Sequence, residues 1–170
     1  MNQIIFRNLI LLTTFLLLAG VDAFARWATM DDADARFDAV ETKTIINADG
    51  TFKQTVDIKL KILREGGRAY STYRLSYNER SATLKIIKAE TINSIEGKSD
   101  EKTNVDSDLI EDRPVASPGY GFDSMRIVSI AFPRVSVGSV LHLSYTETTT
   151  ETPIDGHFSK RIDFGSRLPL

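Results

Sequence analysis

Residues 124–151 read SMRIVSIAFPRVSVGSVLHLSYTETTTE, and the two apolar runs inside this stretch decide the fold. The first, Arg126 to Phe132, is rich in β-branched residues and stops at Pro133, which has no N–H to give a ladder. The second begins at Gly138-Ser139 and alternates strictly. Leu141, Leu143 and Tyr145 share one face; His142, Ser144 and Thr146 share the other. Joined through Pro133 and Gly138, the two runs are expected to form a long hairpin whose apolar side lies against a second layer.

The same period-two pattern extends outward on both sides. Upstream, Val40, Thr42, Thr44 and Ile46 fall in phase, and Asn47-Ala48-Asp49-Gly50 supplies a tight turn. Asp-Gly accepts the positive φ that such turns require, so a hairpin is predicted here. On the return strand Phe52, Val56, Ile58, Leu60 and Ile62 point one way, while Lys53, Thr55, Asp57, Lys59 and Lys61 point the other. Five such side chains, at roughly 1.5–3 kcal/mol each when fully buried, contribute about 8–15 kcal/mol gross, so this face belongs to the core. It is expected to face the Leu141–Tyr145 arm across a shared dry interior.

Between these segments Glu65-Gly66-Gly67 is a break, and Arg68 to Tyr77 is expected as a strand with Ala69, Tyr73, Leu75 and Tyr77 in phase. Thr83 to Ile92 is the next strand. Its phase shifts at Ile86-Ile87, which predicts either a β-bulge or a strand with both faces covered. Glu101 to Asp106 reads as a weak edge strand, Asp106 to Phe122 as a long irregular loop, and Phe158 to Phe164 as a last strand. About eight strands joined by turns, with one core and hardly any helix, predict an all-β fold, a single antiparallel β-sandwich over residues 39–170.

Two segments precede that domain. Residues 1–25 have the build of a secretory signal peptide: Arg7, an apolar run from Leu9 to Ala19, and small residues for cleavage after Ala25, with Ala23 as the other site. Residues 26–38 form a charged leader in which Trp27 to Phe37 is expected to make one short helical turn, with Thr29 as cap. The chain is therefore expected to be exported, to a bacterial periplasm or the extracellular space. Removing the signal takes away one basic residue (Arg7) and one acidic residue (Asp22), so the net charge stays at −2. That balance gives no electrostatic footprint for nucleic acid. Once the signal is cleaved, no stable membrane span is expected.

Candidates for chemistry are few. The absence of cysteine removes thiol nucleophiles and thiolate metal sites. There are two histidines. His142 lies mid-strand among hydroxyls and reads as a sheet-face residue, and His157 sits in a turn beside Gly156. No nucleophile–base pair is recognisable, so no catalytic residue, cofactor or metal is assigned. Two acidic groups, Asp32, Asp34, Asp38 and Glu41, and Asp106, Asp108, Glu111 and Asp112, read better as solvated segments than as calcium sites, because the ligand spacing of a calcium loop is missing. Tyr120 and Phe122, in the long loop, are the candidate ligand contacts.

The ordered set of Ala48-Asp49-Gly50, Tyr73 to Tyr77, Leu84 to Ala89, Glu96-Gly97-Lys98 and Phe132-Pro133-x-Val135-x-x-Gly138-Ser139 resembles the domain of unknown function numbered three-eight-five-seven. The resemblance spans roughly Phe37 to Pro169. It implies a β-sandwich found N-terminal to transglutaminase-like domains in exported bacterial proteins, with an accessory role beside a papain-like thiol domain. No catalytic residue carries over, since the cysteine, histidine and aspartate of that chemistry belong to the partner domain. The expected function is positioning or packing against such a transglutaminase-like or peptidase partner. The alternative is a stand-alone envelope module that binds glycan, peptide or protein.

Overall fold

Alternation along each segment sends apolar side chains to one side and polar ones to the other, and the strands follow it. The structure, a computed structural model, describes residues 32–94, 99–115, 124–152, 154, 156–160 and 168. Among the described residues eight strands build two antiparallel sheets: β1 (Ala35–Ile46), β2 (Phe52–Ile62), β3 (Thr72–Asn78), β4 (Ala82–Asn93), β5 (Glu101–Asn104), β6 (Ile110–Pro114), β7 (Met125–Ala131) and β8 (Val140–Thr149). The larger sheet has the order β1-β2-β8-β4-β5 and the smaller β3-β7-β6. Leu60, Ile62, Leu141 and Leu143 from the first and Leu75, Val128 and Ile130 from the second meet in one buried cluster. The all-β sandwich read from the sequence is the observed fold.

The hairpin predicted between the two runs of residues 124–151 does not form. β7 pairs with β3 and β6, whereas β8 pairs with β2 and β4, so the two runs lie in different sheets. The connection is an arch. Arg134 and Gly138 take positive φ values of 54° and 89°. Gly138 donates to the Ile62 carbonyl at 2.8 Å, and Ile62 donates to the Ser139 carbonyl at 2.9 Å. These bonds tie the start of β8 to the end of β2, which leaves β7 to the opposite layer. The apolar faces of β2 and β8 are correspondingly side by side rather than opposed: Leu60 pairs with Leu141, Ile58 with Leu143 and Val56 with Tyr145. Both look across the interior at β7.

The β1–β2 hairpin forms as read, with Gly50 at φ 84° in its turn. β1 starts at Ala35, however, so the described end of the expected helical turn, Ala35 to Phe37, is extended. Ala35 is fully buried, and the Asp34 carbonyl accepts hydrogen bonds from Leu63 and Arg64, which docks this segment against the end of β2. Glu65–Ser71 is a 3-10 turn rather than the start of a strand. The bulge predicted at Ile86-Ile87 is present: the β4–β8 register slips between Ile86 and Lys88, and Ile87 is thrown out, 57% exposed. β5 is an edge strand, as expected. The expected Asp106–Phe122 loop contains a 3-10 turn, Ser107–Leu109, and the edge strand β6. Pro114 closes β6, where an edge tolerates its missing N–H. The last predicted strand is not seen over residues 157–160, which are irregular; its remainder, the signal peptide with Ala23 and Ala25, and the Tyr120 and Phe122 contacts lie outside the described residues.

Candidate functional site

His142 sits on the outward side of the larger sheet, with a side chain only 13% exposed. Strand pairing puts Glu90 of β4 directly beside it; on the other side Lys59 of β2 is opposite, and Asp57, two residues along, reaches it diagonally. The two ring nitrogens are both engaged: Nδ1 lies 3.1 Å from Glu90 Oε1, and Nε2 lies 3.0 Å from Asp57 Oδ2. Lys88 reaches the same Glu90 oxygen at 2.9 Å. Glu90 is 3% exposed. Burial alone would push its carboxyl up, but the hydrogen bonds from Lys88 and His142 outweigh it and hold the carboxyl below its ordinary value.

An imidazole that serves as a base needs one nitrogen free to take a proton. Here each nitrogen faces a carboxylate, and both contacts are hydrogen bonds only when both nitrogens carry protons. Ser144 lies beside this group on the same face, but no nitrogen is left for its hydroxyl. The arrangement is a clamp that ties β4, β8 and β2 together. Glu90 and Asp57 escaped the sequence reading because the partners are separated by 52 and 85 residues and meet only through the register.

A second feature lies at one end of the larger sheet. A hollow of about 250 Å³ opens between the β1–β2 turn, the ends of β4 and β8, and residues 157–159. Phe52 forms its apolar wall, with Phe158 edge-on at 5.5 Å between ring centroids. Ser81, Thr149, Thr152 and Ser159 bring hydroxyls to the rim, and Glu151 and His157 bring ionisable groups. Lys160 Nζ lies 4.3 Å above the Phe52 ring and donates to Gln54 and to Glu147, the latter at 3.1 Å. The hollow suits a small group with one apolar and one hydroxylated side. Its His157 makes no side-chain hydrogen bond to a hydroxyl among the described residues.

The remaining sequence candidates resolve structurally. Asp112 is on β6, where it accepts from Tyr77 Oη and from Arg126 Nε, both at 2.9 Å, and Arg126 also reaches Glu79. Its carboxylate is committed to that network. Asp38 pairs with Arg36 at 2.7 Å. Among the described residues no group of three or more histidine, aspartate or glutamate side chains is arranged to hold a metal ion, and no helix is long and apolar enough to cross a membrane.

Comparison with solved structures gives a protein described as a candidate protease from Parabacteroides distasonis ATCC 8503. It superposes with a TM-score of 0.63 at 16% identity, over 70% of this chain and 24% of that one. At that identity the likeness shows a shared fold. A comparison with curated proteins yields no match. The family described as a domain of unknown function with solved structure, DUF3857, matches residues 48–169, from the β1–β2 turn through every later strand. This chain belongs to the DUF3857 family.

Proposed function

We propose that this chain is a non-catalytic accessory domain of an exported bacterial protein, which packs against or positions a transglutaminase-like or peptidase domain. The observation that carries the reading is the comparison itself: the same sandwich makes up 24% of a chain described as a candidate protease. An accessory module within a larger hydrolase has that proportion. The site chemistry agrees, since the half-buried His142 has both nitrogens on carboxylates and no thiol exists in the chain. The test has two arms. The purified chain is assayed alone for peptide hydrolysis and transamidation, with no turnover expected. It is then mixed with the transglutaminase-like domain encoded nearest to it, and co-elution with an altered KM is expected. Turnover by the chain alone that disappears in His142→Ala would refute the non-catalytic reading; absence of association would refute the accessory one.

The hollow at the sandwich end favours a second reading, a stand-alone envelope module that binds a small glycan or peptide group. Chemical-shift changes confined to Phe52, Thr149 and His157 on titration with envelope glycans or short peptides would support it. No response there would remove it.

A further inference from the structure

The larger sheet ends in β1, and its outer edge has no partner strand among the described residues. An open edge is a template for another strand, and proteins usually blunt it with bulges, charges or proline. The β1 bulge, between Phe37 and Ala39, disturbs only the first part. From Ala39 to Ile46 the register with β2 is unbroken, and Val40, Ile45 and Ile46 are 46%, 52% and 51% exposed.

The hydrogen-bonding phase of this edge can be fixed. Asn47 donates to the Thr51 carbonyl, so its backbone points towards β2. Phe52, opposite Ile46, exchanges its N–H and carbonyl with the Thr149 hydroxyl, so Phe52 points away from β1. Antiparallel pairs alternate in this respect, and hence Val40, Thr42, Thr44 and Ile46 present their N–H and C=O groups to the free side. All four are able to donate.

The side chains along this edge are self-complementary about Thr42. If two copies pair antiparallel with Thr42 opposite Thr42, the exposed donors of Val40 and Thr44 meet, and Glu41 of each copy falls opposite Lys43 of the other. These last are narrow, non-hydrogen-bonded positions, where side chains come closest. Neither Glu41 nor Lys43 has an ion pair among the described residues. Within the chain Glu41 faces Asp57 across the ladder, a like-charge pair, and Lys59 lies only diagonal to Glu41 on the same face. Asp57 is engaged by His142, whereas a second copy would set its Lys43 directly opposite Glu41. On the same face Ala39 would meet the exposed Ile45.

We infer that β1 is a homodimer edge, pairing with a second copy of this chain about Thr42 to make one continuous sheet. A foreign extended segment would use the same donors but has no reason to require the Glu41–Lys43 symmetry.

The protein is examined by sedimentation velocity across the micromolar range, with circular dichroism to confirm folding of each variant. Wild type is expected to be dimeric. Lys43→Glu places Glu opposite Glu twice and should weaken the dimer by about tenfold or more. Glu41→Lys should do the same. The double exchange Glu41→Lys/Lys43→Glu should restore dimerisation, and an equimolar mixture of the two single variants should form a heterodimer. A folded wild type that stays monomeric throughout would overturn the proposal, as would single variants that dimerise like wild type or a double exchange without rescue. The accessory reading does not depend on this outcome, because it concerns a different partner.

Discussion

Glu90 is the residue on which the larger sheet's outward face turns. Its carboxyl is held below its ordinary value by Lys88 and His142, so the folded state favours the ionised form. The stabilisation is present above the unfolded carboxyl range and is lost as pH falls through the lower folded value. Urea unfolding between pH 7 and pH 3 should therefore show an acid-side loss that Glu90→Gln reduces. Removing the imidazole with His142→Ala leaves a 3%-exposed carboxylate short of a donor. It is expected to cost about 1–3 kcal/mol at pH 7, read from the same urea curves. Tyr145 behaves in the opposite sense. Burial, with smaller contributions from Tyr73 and Glu147, pushes its hydroxyl up to about 12 from 10.0. The neutral form is the folded one, so its contribution is complete below pH 10 and disappears between pH 10 and about 12. Alkaline unfolding should be delayed in Tyr145→Phe; an unchanged alkaline limb would contradict the burial of this ring.

Elements were legible where a side-chain period was sustained and illegible where it was short. β2 alternates from Val56 to Ile62 and β8 from Leu141 to Tyr145, and the slip at Ile86-Ile87 betrays the bulge. β6 has one apolar residue in Ile-Glu-Asp-Arg-Pro, so no period marks it, and it is held by pairing to β7 and by Arg126 to Asp112. The Glu65–Ser71 turn is held by a packing requirement that no pattern reveals. A Cβ on Gly67 would run into the backbone oxygen of Asp34, which cannot move because it accepts from Leu63 and Arg64. Gly67→Ala is expected to destabilise by about 1–3 kcal/mol in thermal melts, through overpacking of backbone against backbone. A loss below the error of the melt would mean that the turn is free to shift.

At the scale of the whole molecule, alternation tells which face of a strand is buried but not which strand lies beside it. That is why the runs at 126–132 and 139–151 looked like a hairpin and are instead an arch between layers. It is also why the sequence does not show the His142 clamp, built from three strands: His142 reads as a sheet-face residue, and its two carboxylates are invisible without the register. Tyr120 and Phe122, chosen on loop composition, lie outside the described residues, whereas the hollow beside Phe52 joins segments some hundred positions apart. The clamp, the hollow and the free β1 edge all require β2 and β8 to be neighbours in one sheet. The Thr55 and Thr146 hydroxyls, 3.2 Å apart across that pair, offer a direct measurement in a chain with no cysteine of its own. Thr55→Cys/Thr146→Cys, oxidised under dilute native conditions, is expected to close quantitatively into an intramolecular disulfide, with loss of both free thiols by mass and thiol titration. Two thiols that remain free in the folded protein would contradict the pairing of β2 with β8, and with it the sheet order.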